Sequence, residues 1–280
     1  MNYEQFQEEL KKSYRKDLSE RKTWYSDVAE AYNQVRPRYP QALINRAVEL
    51  AQLPAKATIL EVGCGPGNAT LAWAQLGFSM LCLEPSLEAC RIARQNCQLY
   101  PSVEIRNTSF EEWELQPGQF HAVLAANSWH WIPPEISYAK AVEALQENGS
   151  LILLWNLSPQ IPDEVYQALK EVYQAQGISP QRYEDRKTQE EILSSFGQMV
   201  INSGRFGNLI SEHLPCELSY SIDDYLLLLN TLSPYRGLES NRRDALFQSL
   251  REVLGKICGE AVSISFLSAF QIAQKRPLTF

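Results

Sequence analysis

The stretch Ile59–Leu71, ILEVGCGPGNATL, decides how this chain is read. Thr58-Ile59-Leu60-Glu61-Val62 is a short, branched, apolar run of the kind that a buried parallel strand requires. Gly63, Gly65 and Gly67 follow it on alternate positions, three of only 13 glycines in 280 residues. Asn68–Ala74 then has helix-forming composition with its apolar residues on one face, so the glycines stand where a strand hands over to a helix. A junction of that kind lets bare backbone approach a ligand closely.

Outward from this point the chain alternates strand-like and helix-like segments, the signature of a parallel sheet wrapped by helices. The pattern predicts strands over 57–63, 79–84, 103–106, 121–126 and 150–155, and helices over 68–75, 87–98 and 134–145. Asn148-Gly149 reads as the C-cap that stops the last of these helices. Beyond Trp155 the segments 162–176, 188–197, 222–232 and 239–258 read as helices, broken by turns such as Gly177-Ile178-Ser179-Pro180. The runs 209–220 and 261–272 alternate and carry branched or aromatic residues, which predicts a late antiparallel pair on the sheet.

Composition excludes several classes of function. A net charge of -7 does not suit a protein that grips many phosphates, so no nucleic-acid partner is expected. The six cysteines include no C-x-x-C pair and read as reduced thiols, which predicts a cytoplasmic protein. No apolar stretch is long enough to span a bilayer and the first residues are charged throughout, so the expectation is a soluble, unprocessed chain without a membrane partner. The three histidines, His121, His130 and His213, are not spaced as paired ligands, and no metal is expected.

Two ligand classes use a glycine turn after a first strand: dinucleotides and S-adenosylmethionine. A dinucleotide fingerprint is G-x-G-x-x-G, whereas here the third glycine arrives one residue early and Asn68 holds its usual place. Glu61, just before the first glycine, would repel phosphate and suits a ligand with an amino group and a sulfonium. Glu84 ends the second strand about twenty residues on, where a carboxylate can accept both ribose hydroxyls.

With these residues in view the sequence resembles the class I S-adenosylmethionine-dependent methyltransferases, within them the type 11 small-molecule group that includes trans-aconitate-type enzymes. The resemblance rests on AEAYNQVRPRYP at 29–40, on the glycine stretch, on SFEEW at 109–113, on AANSWHWIPP at 125–134 and on NGSLILLWN at 148–156. It implies an α/β fold, a seven-stranded Rossmann-like sheet with its last strand antiparallel, and a helical lid toward the C-terminus. The implied division is a helical cap at 1–40, a cofactor-binding core at 41–156, a mainly helical substrate lid with one sheet strand at 157–258, and a final strand and tail at 259–280. The implied cofactor is S-adenosyl-L-methionine. Its contacts would be Glu61, Gly63 and Gly65 beside the methionine part, Glu84 at the ribose, Ser109 and Phe110 at adenine, and also Gly67, Pro85 and Asn127. Many relatives carry an aspartate where Ser109 stands.

The remaining candidates are read from their own chemistry. His130 lies past the fourth strand, where ligands gather, and is the candidate catalytic group, able to orient an acceptor oxygen or take its proton. Trp129 and Trp131 flank it and could wall the sulfonium side. Arg36 could pair with a carboxylate of cofactor or substrate, and Tyr32 and Tyr39 lie beside it on a segment that could fold over the site. Tyr235 and Arg236, at a proline-marked break between two helices, are the candidate lid contacts to the acceptor. His121 opens its strand at the far end and is read as structural.

The reading is therefore a methyltransferase that acts on a small-molecule acceptor, most simply an oxygen such as a carboxylate, which is nucleophilic at neutral pH. Its rivals are a catalytically idle cofactor-binding protein, a nucleic-acid or protein methyltransferase and a nicotinamide-dependent oxidoreductase. The intact glycine and acid set opposes the first, the acidic balance the nucleic-acid form of the second and the glycine spacing the last.

Overall fold

The computed structural model describes residues 3–179 and 183–277. Pro180 of the expected turn and the last three residues of the expected tail lie outside these.

Four helices precede the sheet: α1 (Tyr3–Tyr14), α2 (Leu18–Thr23), α3 (Ala29–Val35) and α4 (Gln41–Leu50). Strands and helices then alternate as β1 (Thr58–Val62), α5 (Thr70–Ala74), β2 (Ser79–Glu84), α6 (Leu87–Asn96), β3 (Val103–Asn107), β4 (Phe120–Ala126), α7 (Pro134–Ala144) and β5 (Leu145–Asn156). The chain continues through α8 (Asp163–Ala175), α9 (Arg186–Asn202), β6 (Phe206–Ser221), α10 (Ile222–Asn230), α11 (Ser233–Arg236), α12 (Ser240–Ile257) and β7 (Ala261–Lys275). Among the described residues the sheet has seven strands in the order β3-β2-β1-β4-β5-β7-β6. β1 to β5 pair in parallel, and β7, the last in the chain, runs antiparallel to both of its neighbours. This is the seven-stranded α/β sheet that the sequence predicts.

The apolar runs of the central strands are continuous because both faces of the sheet are covered. Leu60 and Val62 pack on one side with Leu153, Trp155 and Leu193, while Ile59 packs on the other with Leu43, Trp73 and Phe270. A third cluster, built on Leu169, Leu228, Leu246 and Leu250, holds the C-terminal helices together. Helix starts follow local chemistry: the Ser86 hydroxyl accepts from Ala89 N at 3.2 Å, and Asp185 accepts from Thr188 N at 2.8 Å. No helix among the described residues is long and apolar enough to cross a membrane.

Asn148-Gly149 does not cap a helix. α7 ends at Ala144, and the register with β4 jumps from Phe120↔Leu145 to Ala122↔Ser150. Asn148, at φ +45°, takes up the extra residues as a bulge inside β5, so its tolerance of left-handed backbone serves a strand instead of a cap.

Candidate functional site

A cleft of about 880 Å³ opens over the C-terminal ends of β1, β2, β4 and β5. Its floor is the glycine turn. Gly63 has φ +67°, and a Cβ built there would stand 2.7 Å from the Ser128 Cβ, so neither the backbone conformation nor the space admits a side chain. The turn is pinned to β2 by Gly63 N and Cys64 N, which both donate to Leu83 O at 2.8 and 3.1 Å.

Glu84 is clamped beside it. Its Oε2 accepts from Gly65 N at 2.9 Å and its Oε1 from Ser86 N at 2.8 Å. Burial pushes this carboxyl up to about 7, against the pull of the two N–H donors. Each oxygen retains one acceptor position. Pro85, Ser109 and Phe110 line the cleft beyond it. Ser109 is engaged with its own turn, donating to Glu112 Oε2 at 2.9 Å and accepting from Glu112 N at 3.2 Å. Phe110 is 2% exposed and lies nearly parallel to Trp113, so it serves core and cleft together.

Asn127 joins the ends of β4 and β5. Its Oδ1 accepts from Tyr39 Oη at 2.6 Å and from Asn156 N at 2.7 Å, and its Nδ2 donates to Asn156 O at 2.8 Å. It sits at φ +52° in the cleft lining. Arg36 reaches the same region over the Tyr32 ring, with Nε donating to Thr231 Oγ1 at 2.8 Å and Nη2 to Thr231 O at 2.7 Å. His130 and Trp131 complete this side. The Nδ1 of His130 is buried with no hydrogen-bond partner among the described residues. Burial, and secondarily the charge of Arg36, pushes its pKa down to about 4, so the imidazole is neutral at physiological pH.

The structure thus brings together Arg36, Gly63, Gly65, Glu84, Pro85, Ser109, Phe110, Asn127, Tyr32, His130 and Trp131. Five expected contacts lie elsewhere, and Tyr39 stands one layer back. Glu61 is 0% exposed and faces away from the cleft, receiving Thr70 Oγ1 at 2.6 Å, because β1 alternates and its odd-numbered positions meet Trp73 and Leu43. Gly67 turns toward α6, with Ala93 and Cys97 beside the place of its missing Cβ. Trp129 is buried against Tyr138 and Phe110 in the core. Tyr235 is buried and shares a 2.6 Å hydrogen bond with the Tyr173 hydroxyl, and Arg236 is paired with Asp27. Helical spacing turns these two away while Leu232, Ser233 and Pro234 face the cleft. Tyr39 lines an adjoining small cavity and acts through Asn127. His121 is structural as expected: its Nδ1 lies 3.1 Å from Thr58 N.

Sequence reading missed other lining residues. Trp155 and Asn156 end β5, a position that strand order alone marks as ligand-facing. Phe6, Ile192 and Phe196 arrive from distant helices and Tyr25 from the turn after α2, and none carries a local signal. Among the described residues no group of His, Cys, Asp and Glu could hold a metal ion.

Residues 59–149 match the family model described as a methyltransferase domain. The uncharacterized methyltransferase Rv3342 of Mycobacterium tuberculosis is 30% identical over 133 residues, 47% of this chain and 51% of that protein. The malonyl-[acyl-carrier protein] O-methyltransferase of a Paenibacillus species is 29% identical over 156 residues, 51% of this chain and 55% of that protein. The chain spans about half the length of these two relatives. A solved structure from Anaeromyxobacter dehalogenans, described provisionally as a type II methyltransferase, superposes with a TM-score of 0.61 at 21% identity, over 85% of this chain and 97% of that one. The chain has the class I methyltransferase fold, and residues 59–149 of it match the methyltransferase domain.

Proposed function

We propose that the protein is an S-adenosylmethionine-dependent methyltransferase that methylates an oxygen of a small-molecule acceptor, a carboxylate. The observation that carries the reading is the Glu84 clamp. A carboxylate already oriented by Gly65 N and Ser86 N, at the junction of a glycine turn and the second strand, has its remaining acceptor positions available for two ribose hydroxyls. Gly63 and Gly65 leave room for the methionine part, and Arg36 has Nη1 left for its carboxylate. When bound, the cofactor supplies a methyl group on a sulfonium.

The chain's own residues position the acceptor and exclude water. With the cofactor bound, its methyl carbon would be the electrophile for an acceptor carboxylate oxygen held in line by the cleft residues, and a carboxylate would need no proton removed. Holding the two partners in line supplies most of the acceleration. His130 supports this acceptor: with a pKa near 4 it is too weak a base to activate an alcohol or amine, but its N–H can orient an anionic oxygen. Burial also pushes the Tyr25 and Tyr39 hydroxyls up, which leaves them as hydrogen-bond donors. The Paenibacillus relative, by name an O-methyltransferase, supports an oxygen acceptor. Residues 1–40 and 157–258 serve in this reading as cap and lid over the core. The net charge of -7 and the free cysteines support a cytoplasmic enzyme whose partner is not a nucleic acid.

Calorimetry with S-adenosylhomocysteine, followed by counting labelled methyl transfer to matched acids, alcohols and amines, tests the proposal. Micromolar cofactor binding and transfer to acids are expected. Absence of cofactor binding overturns the enzyme reading, and transfer to amines alone overturns the acceptor reading.

A further inference from the structure

The two halves of the cleft differ in chemistry. Over β1, β2 and β3 the lining is the glycine turn, Glu84 and Ser109, which offers backbone and carboxylate. Over β4 and β5, on the other side of the sheet order, the lining is a connected series of rings. Phe6 meets Phe196 edge-on at 4.8 Å, and Phe196 stacks on Trp155 at 3.9 Å and 12°. Trp155 lies 5.8 Å from His130, His130 lies 5.6 Å from Trp131, and Trp131 meets the edge of Tyr25 at 5.6 Å. These six rings come from five separate pieces of chain and all border the same cavity.

The polar edges of this wall are mostly spent within the protein. Trp155 Nε1 donates to Gln271 Oε1 at 3.1 Å, and Tyr25 Oη is 2.9 Å from Ser233 Oγ. His130 Nδ1, by contrast, is a buried polar atom without a partner among the described residues, on a ring that is itself half-buried at the cleft. Phe6 and Trp155 are buried behind the half-buried Tyr25, His130, Trp131 and Phe196, and an aromatic lining with one unpaired imidazole nitrogen suits a flat apolar body that carries one polar group. A polyacid would set further carboxylates against ring faces, where their lost hydration is not replaced. We infer that the acceptor is an aromatic monocarboxylic acid whose ring packs on the wall around Tyr25, Phe196 and Trp131 and whose carboxylate meets His130.

This inference rests on the methyltransferase reading for the reaction, though not for binding. The test is calorimetry on the S-adenosylhomocysteine-bound protein with cinnamate, indole-3-acetate, hexanoate and trans-aconitate, followed by labelled methyl transfer to each. The aromatic acids are expected to bind at least tenfold tighter than hexanoate or trans-aconitate. Phe196→Leu is expected to reduce that preference at least fivefold and to leave the S-adenosylhomocysteine Kd within twofold. Trp131→Leu, at a half-buried position, tests the preference through the ratio of aromatic to aliphatic acid affinities if the Phe196 variant does not fold. Equal or tighter binding of trans-aconitate or hexanoate overturns the inference, as does an unchanged preference in a folded variant, and either leaves methyl transfer standing. Tight binding of aromatic acids without transfer supports the inference on the occupant and overturns the reaction instead.

Discussion

Gly65 donates its backbone N–H to Glu84 Oε2 at 2.9 Å, so the turn that ends β1 and the acid that ends β2 form one unit before any ligand arrives. Replacing the acid therefore loosens the turn and, in the proposed reading, removes a contact to the cofactor. Glu84→Gln is expected to weaken S-adenosylmethionine binding by about 1.5 to 3 kcal/mol, the scale of hydrogen bonds to a charged group. Calorimetry on the folded variant measures it, and an unchanged Kd would remove Glu84 from the cofactor site.

The protonation of that acid sets a pH dependence. Hydroxyls that donate to Glu84 favour the ionised form, and its pKa near 7 means that the unliganded carboxyl is largely protonated at pH 6. Affinity should rise roughly tenfold from pH 6 to pH 8 in the wild type, beyond any rise seen in Glu84→Gln. Parallel pH profiles for the two proteins would exclude this role.

Glu61 makes the opposite demand on stability. Burial raises its folded pKa from 4.5 to about 7, so the contribution to folding is full below pH 4.5 and is lost as pH rises through 7. Glu61→Gln lacks that loss. Relative to wild type it should gain about 2 to 3 kcal/mol on going from pH 5 to pH 8, by urea unfolding of the apoprotein. A gain that does not change with pH would mean that the Glu61 pKa is the same in the folded and the unfolded chain.

Gly63→Ala combines a left-handed φ with a Cβ 2.7 Å from Ser128 Cβ. A loss of about 2 kcal/mol or more is expected. Adding Ser128→Gly should restore the part due to the contact and leave the part due to the backbone. Additive losses in thermal unfolding would show that the two positions do not touch.

His130 should leave no trace near its ordinary pKa. Its folded pKa is depressed to about 4, so it stays neutral through the working range. With saturating cofactor and a carboxylic acid acceptor, kcat should be flat from pH 6 to pH 8. A rising limb centred near 6.5 would mean that His130 gives up a proton in the working complex.

The extent to which the sequence alone specified this protein follows from the range of the forces involved. Strand β1, the glycine turn and the acid at Glu84 were legible because each depends on neighbours within a few residues: branched apolar runs for a strand buried on both faces, glycine for left-handed backbone, and an acid at a strand end. The strand count and the antiparallel β7 followed from the same periodicities and the family resemblance. Asn148 shows the limit, since the same left-handed preference fits a helix cap or a strand bulge and only the pairing of β5 with β4 distinguishes them. Side-chain direction was less legible still. Glu61 belongs to the motif but faces Thr70 and not the ligand, and Tyr235 and Arg236 face Tyr173 and Asp27 while Ser233 and Pro234 face the cleft. Of the aromatic wall, sequence reading reached His130 and Trp131 and missed Phe6, Tyr25, Trp155 and Phe196. Phe6 and Phe196 are ordinary apolar positions on two helices, and they become one surface with Trp155 only because α1 and α9 pack beside the end of β5. Local sequence determined the glycine turn and the acid beside it, through backbone geometry; the other half of the cleft was decided by long-range packing, because its six rings come from five separate pieces of chain.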